Sequence, residues 1–147
     1  MNKKILAVAS FGGHWKQLQR LDFMFSKYKT YYVTTNKDVI SSGYHCYYVI
    51  DANKNDKFRL IALFFQSLLI FIKTRPDIVI TTGAAPGFMM VLIARIFNKK
   101  SIWIDSIANA DELSLSGKLS KRFSTYTLSQ WRQVAEKEGV LYKGGLL

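Results

Sequence analysis

Apolar positions along this chain follow two alternating rhythms. Short apolar runs, read as strands, occupy residues 5–9, 31–35, 44–50, 78–80, 101–105, 125–128 and 140–142. Runs of this kind suit strands buried on both faces of a sheet. Between them, apolar residues recur every three to four positions, as on a helix. Leu18, Leu21 and Phe25 share one such face, with Lys16, Gln19 and Asp22 elsewhere. Further helices are predicted over 60–72, 88–97, 115–123 and 131–138. This alternation predicts an α/β fold: a Rossmann-like open parallel sheet with helices on both faces. Residues 1–147 are expected to form a single domain, since no linker composition and no internal repeat divides them.

The most apolar segment, residues 60–72, is interrupted by Gln66 and Ser67 and closed by Lys73 and Arg75. A membrane span needs about 20 apolar residues, and this run is shorter. Two readings fit it: a helix packed on the sheet, and a helix lying in a membrane interface.

In open parallel sheets, ligands sit beyond the carboxyl ends of the strands, where the strand order reverses. Three candidate loops fall at predicted strand ends. In the first, Ser10-Phe11-Gly12-Gly13-His14, Gly12 and Gly13 let backbone approach a ligand, and amides at the following helix start favour an anion. A tight turn with no ligand is the alternative. The loop lacks the third glycine of a dinucleotide fingerprint and is not a Walker loop. His14 can act as a general base on a sugar hydroxyl or donate to a phosphate; a surface or capping histidine is the alternative. The second loop runs through Thr81, Thr82, Gly83, Ala84, Ala85, Pro86 and Gly87, and Thr82 and Gly83 are its candidate ligand contacts. In the third, Asp105 can hold a hydroxyl or orient His14, and Ser106 can contact the acceptor, but a capping role fits both equally. His45, in a predicted strand, reads as structural.

Net charge sharpens this picture. Lys and Arg exceed Asp and Glu by 21 to 10, so the surface carries +11 and favours a polyanionic partner. The cations are dispersed, without a basic recognition helix or zinc-finger spacing, which disfavours nucleic acid. Cys46 is the only cysteine, which fits a reducing compartment and reads as a small buried hydrophobe. One cysteine and two distant histidines make no metal site, and no metal or other cofactor is expected. The basic start with its short apolar run is too brief for a signal peptide.

Four stretches carry a family resemblance. They are Ser10-Phe11-Gly12-Gly13-His14-Trp15-Lys16-Gln17-Leu18; Thr81 to Gly87; Ile104-Asp105-Ser106-Ile107-Ala108 with Leu113-Ser114-Leu115-Ser116-Gly117-Lys118-Leu119; and Gln130-Trp131 with Tyr142-Lys143-Gly144-Gly145-Leu146-Leu147. Together they resemble the accessory subunit of the heterodimeric UDP-N-acetylglucosamine transferase of dolichol-linked oligosaccharide synthesis. The bacterial capsule and exopolysaccharide glycosyltransferase enhancer subunits look closer still.

The resemblance implies the N-terminal, acceptor-binding half of a split GT-B glycosyltransferase. The whole would be an inverting, UDP-sugar-dependent hexosyltransferase with little activity in this chain alone. A small donor-binding subunit would be the partner and would supply most of the UDP-sugar site. The acceptor would be a lipid-diphosphate-linked saccharide, and an anionic membrane surface, at the cytoplasmic face, a further partner. Gly12, Gly13 and His14 would meet the acceptor diphosphate and the reacting hydroxyl. Gly144, Gly145, Leu146 and Leu147 would form an exposed end that docks into the partner. Eukaryotic members carry an N-terminal membrane span, so contact here is expected from surface helices or the partner. Asp105 stands where many members have Glu. A non-catalytic membrane adaptor and a stand-alone Rossmann-type nucleotide-binding enzyme are the alternatives.

Overall fold

The computed structural model describes residues 2–42 and 45–146, except the side chains of 40–42. Strands β1 (Lys4–Ala9), β2 (Lys29–Thr34), β3 (Cys46–Tyr48), β4 (Ile78–Gly83), β5 (Lys100–Ile104), β6 (Tyr126–Ser129) and β7 (Leu141–Tyr142) form one sheet. All its described pairings are parallel. The spatial order is β3-β2-β1-β4-β5-β6-β7. The chain builds from β1 toward one edge, then returns to place β4 on the other side of β1. The order therefore reverses between β1 and β4, and a crevice opens at their carboxyl ends.

The apolar run of β1 is continuous because both its faces are covered. Ile5, Ala7 and Ala9 point to one side and pack with Trp15, Leu18, Leu21 and Phe25 of the segment carrying α1 (Gly13–Gln19) and α2 (Asp22–Phe25). Leu6 and Val8 point to the other side, against Leu63, Ile70 and Phe71 of α3 (Lys57–Thr74) and Met90 and Ile93 of α4 (Ala84–Ile96). This is the two-residue alternation of a strand. Each large side chain so buried contributes about 1.5–3 kcal/mol. Helix α5 (Leu115–Ser120) lies beside α4, and α6 (Arg132–Glu138) connects β6 to β7.

The predicted strands and helices form in the predicted order, with shifted ends and with the first helix broken into α1 and α2 at Arg20 and Leu21. The helix expected over 60–72 starts three residues earlier, where the Asp56 side chain accepts from the Arg59 amide and caps it. It ends at Thr74, with Arg75 left-handed at φ 48°. The helix expected over 115–123 stops at Ser120. The third strand was expected to begin at Tyr44, which lies outside the described residues.

The expected second Gly-rich turn is not a loop. Thr81, Thr82 and Gly83 complete β4, and α4 starts at once with Ala84. The corner is made by Gly83 at φ 129° and Ala84 at φ 68°. Pro86 sits in the first helical turn, where its missing amide hydrogen costs nothing. Gly87 faces back onto the strand. A Cβ there would lie 2.0 Å from Thr81 Oγ1, the same oxygen that accepts from the Gly83 amide at 3.1 Å.

Replacing a helical glycine with alanine normally gains about 1 kcal/mol of helix propensity. At Gly87 the collision outweighs this gain, since overpacking costs about 1–3 kcal/mol. Gly87→Ala is therefore expected to lower the urea midpoint, whereas a loop glycine would leave it unchanged.

Candidate functional site

The crevice is built around one register irregularity. Along β1 and β4, Val8 pairs with Thr81 but Ala9 pairs with Gly83, so Thr82 is the extra residue of a bulge. A bulged residue leaves the ladder and re-aims its polar groups. Thr82 turns them toward α1. Its carbonyl oxygen lies 2.9 Å from His14 Nδ1, and its hydroxyl donates to the His14 carbonyl at 2.6 Å. A carbonyl only accepts, so in the neutral ring Nδ1 carries the proton and Nε2 keeps the free lone pair.

Gly83 makes room for this arrangement. A Cβ on it would lie 2.8 Å from His14 Nδ1 and 2.9 Å from Cε1. The imidazole thus lies directly over the Gly83 backbone, half-buried, while Thr82 beneath it is fully buried. Gly12, at φ 95°, is the N-cap of α1, and Gly83 is the N-cap of α4. Neither carries a side chain that could cover the first-turn amides, in contrast to Asp56 on α3 and Ser114 on α5. Two helices therefore start on bare glycines at the switch point, with His14 beside them. Gly13 is exposed. Amides presented in this way suit phosphate oxygens.

Asp105 is placed differently from the expectation. It is 2% exposed, and its carboxylate accepts from Trp103 Nε1, Asn109 Nδ2, and the amide and hydroxyl of Ser114, at 2.6–3.0 Å. The nitrogen of His14 that Asp105 was expected to orient is held by Thr82. Asp105 instead pins the 105–114 loop to Ser114, whose own hydroxyl caps α5. Gly117 completes that corner, since a Cβ there would lie 2.5 Å from Asp105 Oδ1. Ser106 Oγ accepts from Gln17 Nε2 at 3.0 Å and from the Ala108 amide at 3.2 Å. It too is a tie within the protein.

Gln17 and Gln130 were noted only within the stretches that carry the resemblance, with no role given to them. Both are buried. Gln17 Oε1 accepts from Gln130 Nε2 at 2.6 Å and from the Ile107 amide at 3.2 Å. Gln130 Nε2 also donates to the Asp105 carbonyl at 2.9 Å. Gln130 Oε1 accepts from the Leu146 amide at 2.7 Å. The signal was present: Gln17 is a polar residue beside Leu18 on the inward side of α1, and buried amides need partners. The network corrects the expectation for the chain's end. Leu146 is half-buried and packs on this domain's own core, where an exposed end was expected. Gly144 and Gly145 are exposed. Leu147 lies outside the described residues.

Among the described residues, no group of three His, Cys, Asp or Glu could hold a metal ion. His45 serves the sheet, its carbonyl accepting from the Tyr32 amide at 2.8 Å. Cys46 is half-buried, and burial pushes its thiol up to about 11, which leaves it a poor nucleophile.

The sheet order defines the class: a Rossmann-like domain with a crevice at its switch point, where two helices start on bare glycines. The chain belongs to the family described as oligosaccharide biosynthesis protein Alg14 like, which its residues 25–146 match. The match begins after Gly12, Gly13 and His14 and includes Thr82, Gly83, Asp105 and Ser106. No individually curated protein matches the chain. Solved structures share the fold. MurG of Acinetobacter baumannii superposes with a TM-score of 0.75 at 12% identity, over 90% of this chain and 43% of that one. The UDP-N-acetylglucosamine 2-epimerase of Rickettsia bellii gives 0.77 at 12% identity, over 99% and 46%. The enzyme of the same name from Neisseria meningitidis, bound to UDP-GlcNAc, gives 0.73 at 12%, over 97% and 47%. The chain spans less than half the length of each.

Asp105→Asn would set an amide group against donors, including the indole of fully buried Trp103. It is expected to cost on the order of 3 kcal/mol in chemical denaturation. A carboxylate serving only the reaction would leave stability unchanged.

Proposed function

We propose that this chain is the acceptor-binding half of a two-chain, membrane-associated glycosyltransferase. The reaction is transfer of a sugar from a UDP-sugar to a lipid-diphosphate-linked saccharide, in capsule or exopolysaccharide synthesis, at the cytoplasmic face of the membrane. The observation that carries this reading is the His14 imidazole, clamped by Thr82 over Gly83 with Nε2 free, between the starts of α1 and α4. Membership in an oligosaccharide biosynthesis family supports it. So does the fold shared with longer proteins, of which this chain covers the length of one half.

In this mechanism the amides after Gly12 and Gly83 hold the acceptor diphosphate. His14 Nε2 removes the proton from the acceptor hydroxyl as its oxygen attacks the anomeric carbon. The bond from that carbon to the UDP oxygen breaks, and UDP leaves with the electron pair from the opposite face, inverting the centre. Thr82 positions the base. Asp105 and Ser106 act indirectly, by holding the loop that walls the crevice. The partner subunit brings the UDP-sugar and meets this chain near Gly144 and Gly145. Leu146 stays latched to Gln130. The membrane association is peripheral or shallowly inserted; among the described residues no helix is long and apolar enough to cross a bilayer.

His14→Ala is expected to lower kcat by about 10²–10⁴ in the assembled complex, with partner binding retained. An unchanged rate in an intact complex would remove His14 from the chemistry and favour a non-catalytic adaptor.

A further inference from the structure

The sheet face covered by α3, α4 and α5 bears large apolar side chains turned to solvent. On α3 these are Phe58, Ile61, Phe65, Leu69 and Ile72, with Phe58 87% and Leu69 69% exposed. At about 100° per residue, the five fall within an arc of about 80°. The buried Leu63, Ile70 and Phe71 lie on the opposite side of the same helix. The outward row is therefore a second apolar face, distinct from the one that serves the core. It spans a helix about 27 Å long, and no polar side chain interrupts it.

The row continues onto its neighbours. Ile61 and Phe65 share a hollow of about 370 Å³ with Met89 and Leu92 of α4. At the other end, Ile72 borders a hollow of about 380 Å³ with Phe97, Arg75 and Lys99. Lys99 also lines a polar hollow of about 580 Å³ with Arg95, Asn98 and Lys100.

Charge on this face is mainly positive; its acids stand at the margins, Asp56 capping α3, Asp77 3.8 Å from Lys99 and Glu112 paired with Lys118. Helices α3, α4 and α5 contain Lys57, Arg59, Lys73, Arg95 and Lys118 but no Asp or Glu, although the chain has 10 acidic residues. Cations stand at both ends of the apolar row: Lys57 and Arg59 at one, Lys73, Arg75 and Lys99 at the other.

We propose that this face docks on an anionic lipid bilayer, with the α3 row seated at the headgroup–acyl boundary and lipid phosphates held by Arg95, Lys99 and Lys100. The proposal deepens, and rests on, the reading of the chain as a membrane-associated transferase half. An uninterrupted apolar row between cations matches a surface whose phosphates lie above its hydrocarbon. The arrangement also sets an orientation. Helix α3 begins at the end of the sheet where His14 sits, so the row runs from the crevice to the opposite end. With that row in the interface, the strands lie along the bilayer. The crevice then opens sideways at the membrane surface, the height at which a lipid-borne diphosphate arrives.

The test is sedimentation of the full chain with phosphatidylcholine vesicles, with and without phosphatidylglycerol. The wild type is expected to bind the anionic vesicles and only weakly the neutral ones. Phe65→Ser combined with Leu69→Ser, at exposed positions, is expected to weaken binding at least about tenfold with an unchanged circular dichroism spectrum. Arg95→Gln combined with Lys99→Gln should abolish the preference for phosphatidylglycerol. The proposal is overturned if the folded row variant binds like wild type, or if wild type binds neither vesicle. It is also overturned if the row variant keeps vesicle binding but loses a protein partner on co-purification. No donor, acceptor or partner enters this assay. A transferase that fails to transfer would leave the docking face intact, and failed docking would leave the His14 chemistry untouched.

Discussion

The reciprocal pair of bonds between Thr82 and His14 is the constraint on which the crevice depends. It joins strand β4 to helix α1 across the switch point, through a carbonyl and a hydroxyl that a regular strand would not have aimed there. The bulge between β1 and β4 releases Thr82, Gly83 supplies the space and the positive φ, and Gly87 lets α4 sit tightly enough on Thr81 to close the corner. Each glycine answers a different steric demand. The outcome is an imidazole held from behind with one nitrogen committed and the other free, the geometry a general base requires.

A second layer of buried polar contacts holds the crevice wall. Gln17 and Gln130 connect α1, the loop after β5, the end of β6 and the Leu146 amide in one chain of hydrogen bonds. Buried amides satisfied this completely rigidify their surroundings. Asp105 does the same for the 105–114 loop. At the crevice, Asp105 and Ser106 are thus bonded within the protein, while His14 is held through Nδ1. The oligosaccharide biosynthesis family to which the chain belongs supplies the chemical setting.

The alternation of strands and helices was legible because a doubly covered strand needs an unbroken apolar run and a helix needs a period near 3.6. The corner at Gly12 and Gly13 was legible for a similar reason: glycines at the end of an apolar run mark the turn from a strand into a helix. Thr81 to Gly87 was misread as a loop, because two glycines near a proline resemble a turn. Pro86 in fact occupies a first helical turn, and Gly87 is a packing glycine. Asp105 illustrates a deeper ambiguity. A carboxylate at a strand end reads alike whether it faces a ligand or four donors of its own loop, and only the partners decide. The apolar segment 60–72 packs on the sheet through one face, as the first of its two readings expected, and leaves a second apolar face exposed. The roles of Gln17 and Gln130 were hidden because the partners of a buried amide lie on other elements, from 16 to 113 positions away along the chain.

The central claim is that this chain binds the acceptor while a second chain binds the donor. The most direct measurement is calorimetric titration of UDP-sugars into the chain alone and into the complex isolated from gently solubilised membranes, followed by transfer to a lipid-diphosphate-linked saccharide. The account predicts no stoichiometric donor binding by the chain alone, and binding with turnover only in the complex. Stoichiometric binding and turnover of a UDP-sugar by the isolated chain would contradict it and identify a self-sufficient nucleotide-binding enzyme.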